Sequence, residues 1–232
     1  TTPPGGTVLD PFMGSGTTIV EGLTRGGATI GLDIDPLTRL IARAKSTAVS
    51  HQRIEALGEV LRAAWTAPAV ELRAPMEGVK NFEHWFSPEP WSWVQSLHSC
   101  ILTLGCSPEE RTFLLAVFSS TLRRVSNADD QTQKTYVSGT RPKTPPSIRS
   151  LFWRHFDRSL AGLTALNAAR HPDATVVIPE AGDATRIPLE AGSVGLAITS
   201  PPYLDSVDYM YNMMVEYFWL GPHLGVPDRR TF

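Results

Sequence analysis

The stretch Val8-Leu9-Asp10-Pro11-Phe12-Met13-Gly14-Ser15-Gly16-Thr17-Thr18 constrains the fold of this chain more than any other. Thr7 to Asp10 reads as a short buried strand, and Gly14-Ser15-Gly16 as a sharp turn. From Thr17 to Thr24, Ile19, Val20 and Leu23 share one helical face, and Gly26-Gly27 ends the helix. Ala28 to Leu32 is a second strand. Asp35 has the chemistry of a helix N-cap and Pro36 that of a first helical residue, so a second helix is expected from Leu37 to Ala48. Strand, helix, strand, helix in that order is the beginning of a doubly wound α/β sheet.

The turn itself suits an anion. Glycines let the backbone bend sharply and approach a ligand, and the helix behind them presents free N–H groups with a partial positive charge. No lysine follows the last glycine, which excludes a Walker A loop and nucleoside triphosphate hydrolysis. The dinucleotide spacing is also broken, because Ile19 stands where a third glycine belongs. A merely structural tight turn is the competing reading. Asp33 shifts the balance toward a ligand. It ends the second strand, seventeen residues after Gly16, where a carboxylate is placed to accept both ribose hydroxyls of a nucleoside.

Beyond residue 50 the texture changes. Residues 51–173 hold Trp65, Trp85, Trp91, Trp93 and Trp153, five of the six tryptophans. Apolar residues recur at helical spacing from Glu109 to Val125 and from Leu151 to Leu166, so a largely helical insertion is expected, interrupted by the loop Asn127 to Ser147. From residue 174 the α/β texture resumes. Strands are expected at Thr175–Ile178 and Ser193–Thr199, and a helix at Val207–Leu220.

With 42% hydrophobic and 19% charged residues over 232 positions, the chain is able to bury a core. Its net charge of −2 excludes a uniformly basic nucleic-acid coat. Locally the balance reverses. Residues 121–160 carry eight basic side chains against three acidic ones, leaving −7 for the remainder. Arg123, Arg124, Lys134, Arg141, Lys143 and Arg149 are the candidates for contacting a polyanion, although for any one of them a solvated surface position is the plainer reading. Cys100 and Cys106 are too few for a disulfide scaffold or a four-cysteine zinc site, and no metal site is expected. They read as buried thiols on a helix. No apolar run reaches the length of a membrane span and no signal-peptide pattern opens the chain, so a cytoplasmic protein is expected.

A second motif lies at the end of the expected fourth strand, where Ile198-Thr199 runs into Ser200-Pro201-Pro202-Tyr203. The prolines fix φ and remove two donors, leaving outward carbonyls of set direction. Serine adds a hydroxyl and tyrosine a flat face. Such a corner suits a planar amine; a plain proline turn with a packing tyrosine is the alternative. Together, Asp10-Pro11-Phe12-Met13-Gly14-Ser15-Gly16-Thr17-Thr18 and Thr199-Ser200-Pro201-Pro202-Tyr203 resemble motifs I and IV of the S-adenosylmethionine-dependent amino DNA methyltransferases. These methylate N4 of cytosine or N6 of adenine, and serine before the prolines leans toward cytosine N4. The resemblance covers residues 1–50 and 174–220.

What the resemblance implies is specific. The fold would be a Rossmann-like methyltransferase sheet, with residues 1–50 and 174–232 as the catalytic α/β domain; the helical insertion 51–173 matches no motif of the family, and only its basic loop makes it a candidate nucleic-acid-binding region. S-adenosyl-L-methionine would be the cofactor. Asp10, Phe12, Gly14, Ser15, Gly16, Thr17 and Thr18 would hold its methionine end, Asp33 its ribose, and Asp183 and Ala184 its adenine. Ser200, Pro201 and Pro202 would hold the target amine and Tyr203 would stack on the base. The partner would be duplex DNA with the target base flipped out, and the setting restriction-modification. An RNA guanine-N2 methyltransferase and a catalytically idle nucleic-acid-binding subunit are the competing functions. The family fold has seven strands and an upstream cofactor segment, of which only four strands are placed here, so the sheet is expected to be incomplete in this chain.

Overall fold

The computed structural model describes residues 6–132, 134–180, 182–202, 209–226 and 228. Its elements are β1 (Val8–Asp10), α1 (Thr17–Arg25), β2 (Gly27–Gly31), α2 (Pro36–Ser46), α3 (His51–Ala64), α4 (Phe82–Trp85), α5 (Pro88–Thr103), α6 (Pro108–Val125), α7 (Ile148–Ala169), β3 (Ala174–Val177), β4 (Leu196–Ala197), α8 (Tyr209–Asn212) and α9 (Met214–Leu220), with a 3-10 turn at Gly221–Leu224. They form two compact units, Thr1–Val49 with Ala161–Ser206, and Ser50–Leu160 with Val207–Phe232.

The first unit is the α/β part. Four parallel strands lie in the order β3-β2-β1-β4. The fold is therefore the Rossmann-like class expected from the sequence. β3 alternates half-buried and exposed positions, with Val177 exposed. α1 packs on β2 and β3. Met13, Ile19 and Ala42 bury together, with Val176 and Ile178 against them. Asp35 caps α2 as its sequence position suggested. Its carboxylate accepts the N–H groups of Leu37 at 2.7 Å and Thr38 at 3.1 Å, with Pro36 opening the helix. Beyond α7, His171 donates its N–H to the Leu23 carbonyl at 2.8 Å, which docks the entry to β3 beside the end of α1.

Strand β4 is shorter than the seven residues read from the sequence. Its ladder runs only through Val8↔Leu196 and Leu9↔Ala197, with one further bond from the Ile198 N–H to the Leu9 carbonyl at 2.9 Å. The partner β1 has three residues, and a strand pairs no further than its neighbour. The sequence also read one helix over 207–220. The described part is two pieces that break at Met213, and residues 207–208 lie outside the described residues.

The second unit is helical with an aromatic core. Phe82, Phe86, His98 and Phe118 surround Trp219 at centroid distances of 5.7 to 6.1 Å. The sixth tryptophan, on α9, thus packs among residues from α4, α5 and α6. A further cluster joins Trp65, Trp93, Phe152, Trp153 and Phe156. α6 opens with a reciprocal capping box between Ser107 and Glu110, and Glu110 also pairs with Arg53 at 2.8 Å. Cys100 lies on α5, but Cys106 sits in the connection to α6 rather than on a helix. Both are half-buried free thiols whose pKa is raised mainly by burial. Among the described residues no helix is long and apolar enough to cross a membrane.

Candidate cofactor cleft and nucleic-acid face

The strand order sets where a ligand can sit in the first unit. From β1 the chain winds outward through β2 to β3, then returns to place β4 on the other side of β1. The switch point therefore falls between β1 and β4, and in open parallel sheets ligands bind outside the carboxyl ends of the strands at that point. Both sequence motifs arrive there. The glycine loop leaves the carboxyl end of β1, and Ser200 follows β4 three residues after its last paired position.

Local bonds give the loop its shape. The buried carboxylate of Asp10 accepts the Phe12 N–H at 3.1 Å and the Thr18 hydroxyl at 2.6 Å, tying the strand end to the first turn of α1. Met13 donates its N–H to the Leu32 carbonyl at 2.9 Å, and Gly16 to the Met13 carbonyl at 2.9 Å. Gly14 and Gly16 hold φ of +50° and +88°, the left-handed region that costs a side-chain-bearing residue energy. A Cβ on Gly16 would also crowd Ala42, at 2.9 Å from its Cβ. Beside Gly14 the space is open. Ser15 and Thr17 are exposed on the loop, and Phe12 is half-buried.

Asp33 reaches across from β2. Its Oδ2 accepts the Gly14 N–H at 2.9 Å and its Oδ1 the Asp35 N–H at 2.9 Å. Each carboxylate oxygen keeps a second lone pair for an incoming hydroxyl. The segment after β3 closes on the same point. A Cβ on Gly182 would run into the Asp33 backbone, so only glycine lets the chain pass this close. Asp183 follows, with its carboxylate accepting both the hydroxyl (2.7 Å) and the N–H (2.8 Å) of Thr185. These bonds hold its pKa below the usual carboxylate value. Ala184 lies beside it, half-buried.

The structure thus joins Asp10 to Thr18, Gly14 to Asp33, and Gly182 to the β2 tip. Ser200, Pro201 and Pro202 are exposed past β4. Tyr203 lies outside the described residues. Three basic residues that the sequence reading passed over brace this cleft. Arg39 donates to the Asp33 and Ile34 carbonyls at 2.6 and 2.8 Å. Arg43 reaches the Ile178 carbonyl at 2.8 Å and pairs with Glu180. Lys45 donates to the Ser15 carbonyl at 2.8 Å. Arg39 and Arg43, one turn apart on α2, were the available signal.

The donor set fits S-adenosylmethionine. A carboxylate with free lone pairs at the tip of β2 suits a ribose diol, and the open glycine loop at a helix N-terminus suits the amino-acid end.

In the second unit the basic candidates divide. Arg123 spends its guanidinium on the carbonyls of Asp129 (3.0 Å), Thr132 (2.6 Å) and Lys134 (3.0 Å). Lys143, only 16% exposed, donates to the Arg123 and Ala128 carbonyls and pairs with Asp130 at 3.4 Å. Burial is the largest cause lowering its pKa. These two shape the loop. Arg149 lies 4.9 Å from the Trp93 ring centroid, a cation–π contact. Arg124, Lys134 and Arg141 are exposed.

A family model described as DNA methylase, of the N6/N4 type, matches residues 1–43. The Type II methyltransferase M.MvaI of Kocuria varians is 26% identical over 212 residues, covering 86% of this chain and 46% of its own length. The Type II methyltransferase M.MjaII of Methanocaldococcus jannaschii is 43% identical over 51 residues, 22% of this chain and 10% of its own length. The chain therefore spans less than half the length of either relative. No solved structure matches it. The chain is thus similar to the DNA methylase family model over residues 1–43 and to a Type II methyltransferase over 86% of its length.

Proposed function

We propose that the protein transfers a methyl group from S-adenosylmethionine to an exocyclic amine in duplex DNA, N4 of cytosine, as the modifying half of a restriction-modification pair in the cytoplasm. The observation that carries this reading is the meeting of the glycine loop and the Ser200-Pro201-Pro202 corner at the carboxyl ends of the adjacent parallel strands β1 and β4. The bound cofactor supplies an electrophilic sulfonium methyl. The chain's own residues then have two tasks. Asp10, through Phe12 and Thr18, fixes the loop, and Asp33 holds the ribose, so the donor sits in one place.

The corner prepares the acceptor. A cytosine amine is a weak nucleophile because its lone pair is delocalised into the ring. Hydrogen bonds from its two N–H groups to the Ser200 hydroxyl and the Pro201 carbonyl draw the nitrogen toward a tetrahedral shape and free the lone pair. Positioning of this kind contributes a large part of the rate. Tyr203 stacks on the flipped base in this reading. The basic candidates follow the phosphate backbone. Arg124, Lys134, Arg141 and Arg149 make the contacts, while Arg123 and Lys143 hold the loop that presents them. The type II names of the two relatives support the restriction-modification setting.

The test is a pair of substitutions in the full-length protein. Tyr203→Phe keeps most of the turnover and Tyr203→Ala loses roughly ten- to a hundredfold, with cofactor affinity unchanged in both. Equal behaviour of the two variants removes stacking from the tyrosine. Loss of cofactor binding in the alanine variant makes the corner structural.

A further inference from the structure

Helices α6 and α7 carry a charge cluster that the core does not require. The Ser120 hydroxyl and the His155 Nδ1 lie 2.7 Å apart, joining the two helices near the surface. Arg124 follows Ser120 by one turn on α6. Arg154 and Arg158 sit one turn apart on α7, on either side of His155. All three arginines are exposed, and among the described residues no carboxylate pairs with them. Asp157 follows Arg154 by three positions and neighbours it on the helix surface, but it is not among the charges that act on His155. Three like charges thus converge on one imidazole. Burial first, then the charges of Arg124, Arg154 and Arg158, lower the pKa of His155. A folded surface keeps such an arrangement at an energetic cost unless an anion completes it.

We propose that Ser120, Arg124, Arg154, His155 and Arg158 form a site for one backbone phosphate of duplex DNA. The site rests on the reading that the protein acts on DNA, and it adds Ser120, Arg154, His155 and Arg158 to the interface. Guanidinium forks match phosphate oxygens; the Ser120 hydroxyl donates to the Val117 carbonyl at 2.7 Å and accepts from His155 Nδ1, which leaves Nε2 of the protonated ring to donate to the phosphate. A phosphodiester between the arginines cancels their repulsion on the imidazole, so His155 takes up a proton as DNA binds. By linkage the complex tightens as pH falls through the range where free His155 is neutral and bound His155 is protonated. The charged groups facing His155 are Arg124 from α6 and Arg154 and Arg158 from α7.

The full-length protein and the Arg154→Gln/Arg158→Gln variant are titrated with fluorescent duplex DNA over a range of salt. The variant binds about tenfold more weakly at low salt, and its log–log salt slope falls by about one. Its thermal melting and cofactor affinity stay at the wild-type values. In parallel, NMR titration of the His155 ring shows a raised pKa with duplex DNA and none with inorganic phosphate at equal ionic strength. In His155→Gln the tightening between about pH 8 and about pH 6 shrinks. An unchanged salt slope together with an unchanged His155 titration overturns the site while leaving DNA methylation standing. Loss confined to RNA binding also overturns it. Failure of the wild-type protein to bind duplex DNA at all overturns both this site and the proposed function.

Discussion

In the proposed cofactor cleft, Asp33 has two tasks. It braces the glycine loop through Gly14 and offers the remaining lone pairs to a diol. Hydrogen bonds to a carboxylate contribute about 1.5–3 kcal/mol. Asp33→Ala is therefore expected to weaken S-adenosylmethionine binding by tenfold or more in calorimetry. Unchanged affinity takes Asp33 out of the site. Its place was legible because a strand tip is a local feature: Gly31-Leu32-Asp33 ends an apolar run before a capped helix. The bond to Gly14 was not, since it closes across nineteen residues through a loop conformation that no periodicity encodes. The same limit hid the roles of Arg123 and Lys143. Composition marks them as basic, but only the fold shows their donors directed at the carbonyls of Ala128, Asp129 and Thr132.

At the scale of elements, ends written in the local sequence were readable. Asp35-Pro36 opens α2, and Gly26 closes α1 with φ of +81°. Elements defined by distant partners were not. β4 pairs over two positions because β1 is short, and α9 is held by aromatic rings from α4, α5 and α6 that lie 101 to 137 residues before Trp219. The segment after β3 gives a test at this scale. Gly182→Ala drives a methyl into the Asp33 backbone and lifts Asp183 and Ala184 off the tip of β2. Cofactor affinity is expected to drop several-fold while DNA affinity in the absence of cofactor holds. A variant with normal cofactor binding, measured by the same calorimetry, separates this segment from the adenine.

Across the whole molecule, buried ionisable groups in the helical unit set a pH window for stability. Burial, reinforced by His223, lowers the pKa of His98 to about 3. The folded ring stays neutral where the unfolded one, at its ordinary 6.5, takes a proton, so stability falls as pH drops from about 6.5 toward 3, by up to about 1.4 kcal/mol per pH unit. Glu216 acts in the opposite direction. Among the described residues its Oε2 is shut off from solvent with no hydrogen-bond partner, and burial raises its pKa to about 7 from an ordinary 4.5. The folded carboxyl holds its proton where the unfolded one releases it, so stability falls as pH rises from 4.5 through about 7. Glu216→Gln should stabilise the protein by roughly 1–3 kcal/mol above about pH 7 and leave it unchanged below about pH 4.5. His98→Phe should flatten the acid limb. Denaturant melts across this range measure both, and an unaltered profile in either variant shows that group to be solvated.

The central claim is methyl transfer to a DNA amine, and one measurement addresses it directly. The full-length protein is incubated with S-adenosylmethionine tritiated on its methyl group and with duplex DNA or transfer RNA, and the recovered polymer is digested to nucleosides. The account predicts label in the DNA alone, as N4-methylcytosine, and its loss in Asp33→Ala. Label in transfer RNA, or none in either polymer from protein that binds the cofactor, contradicts it.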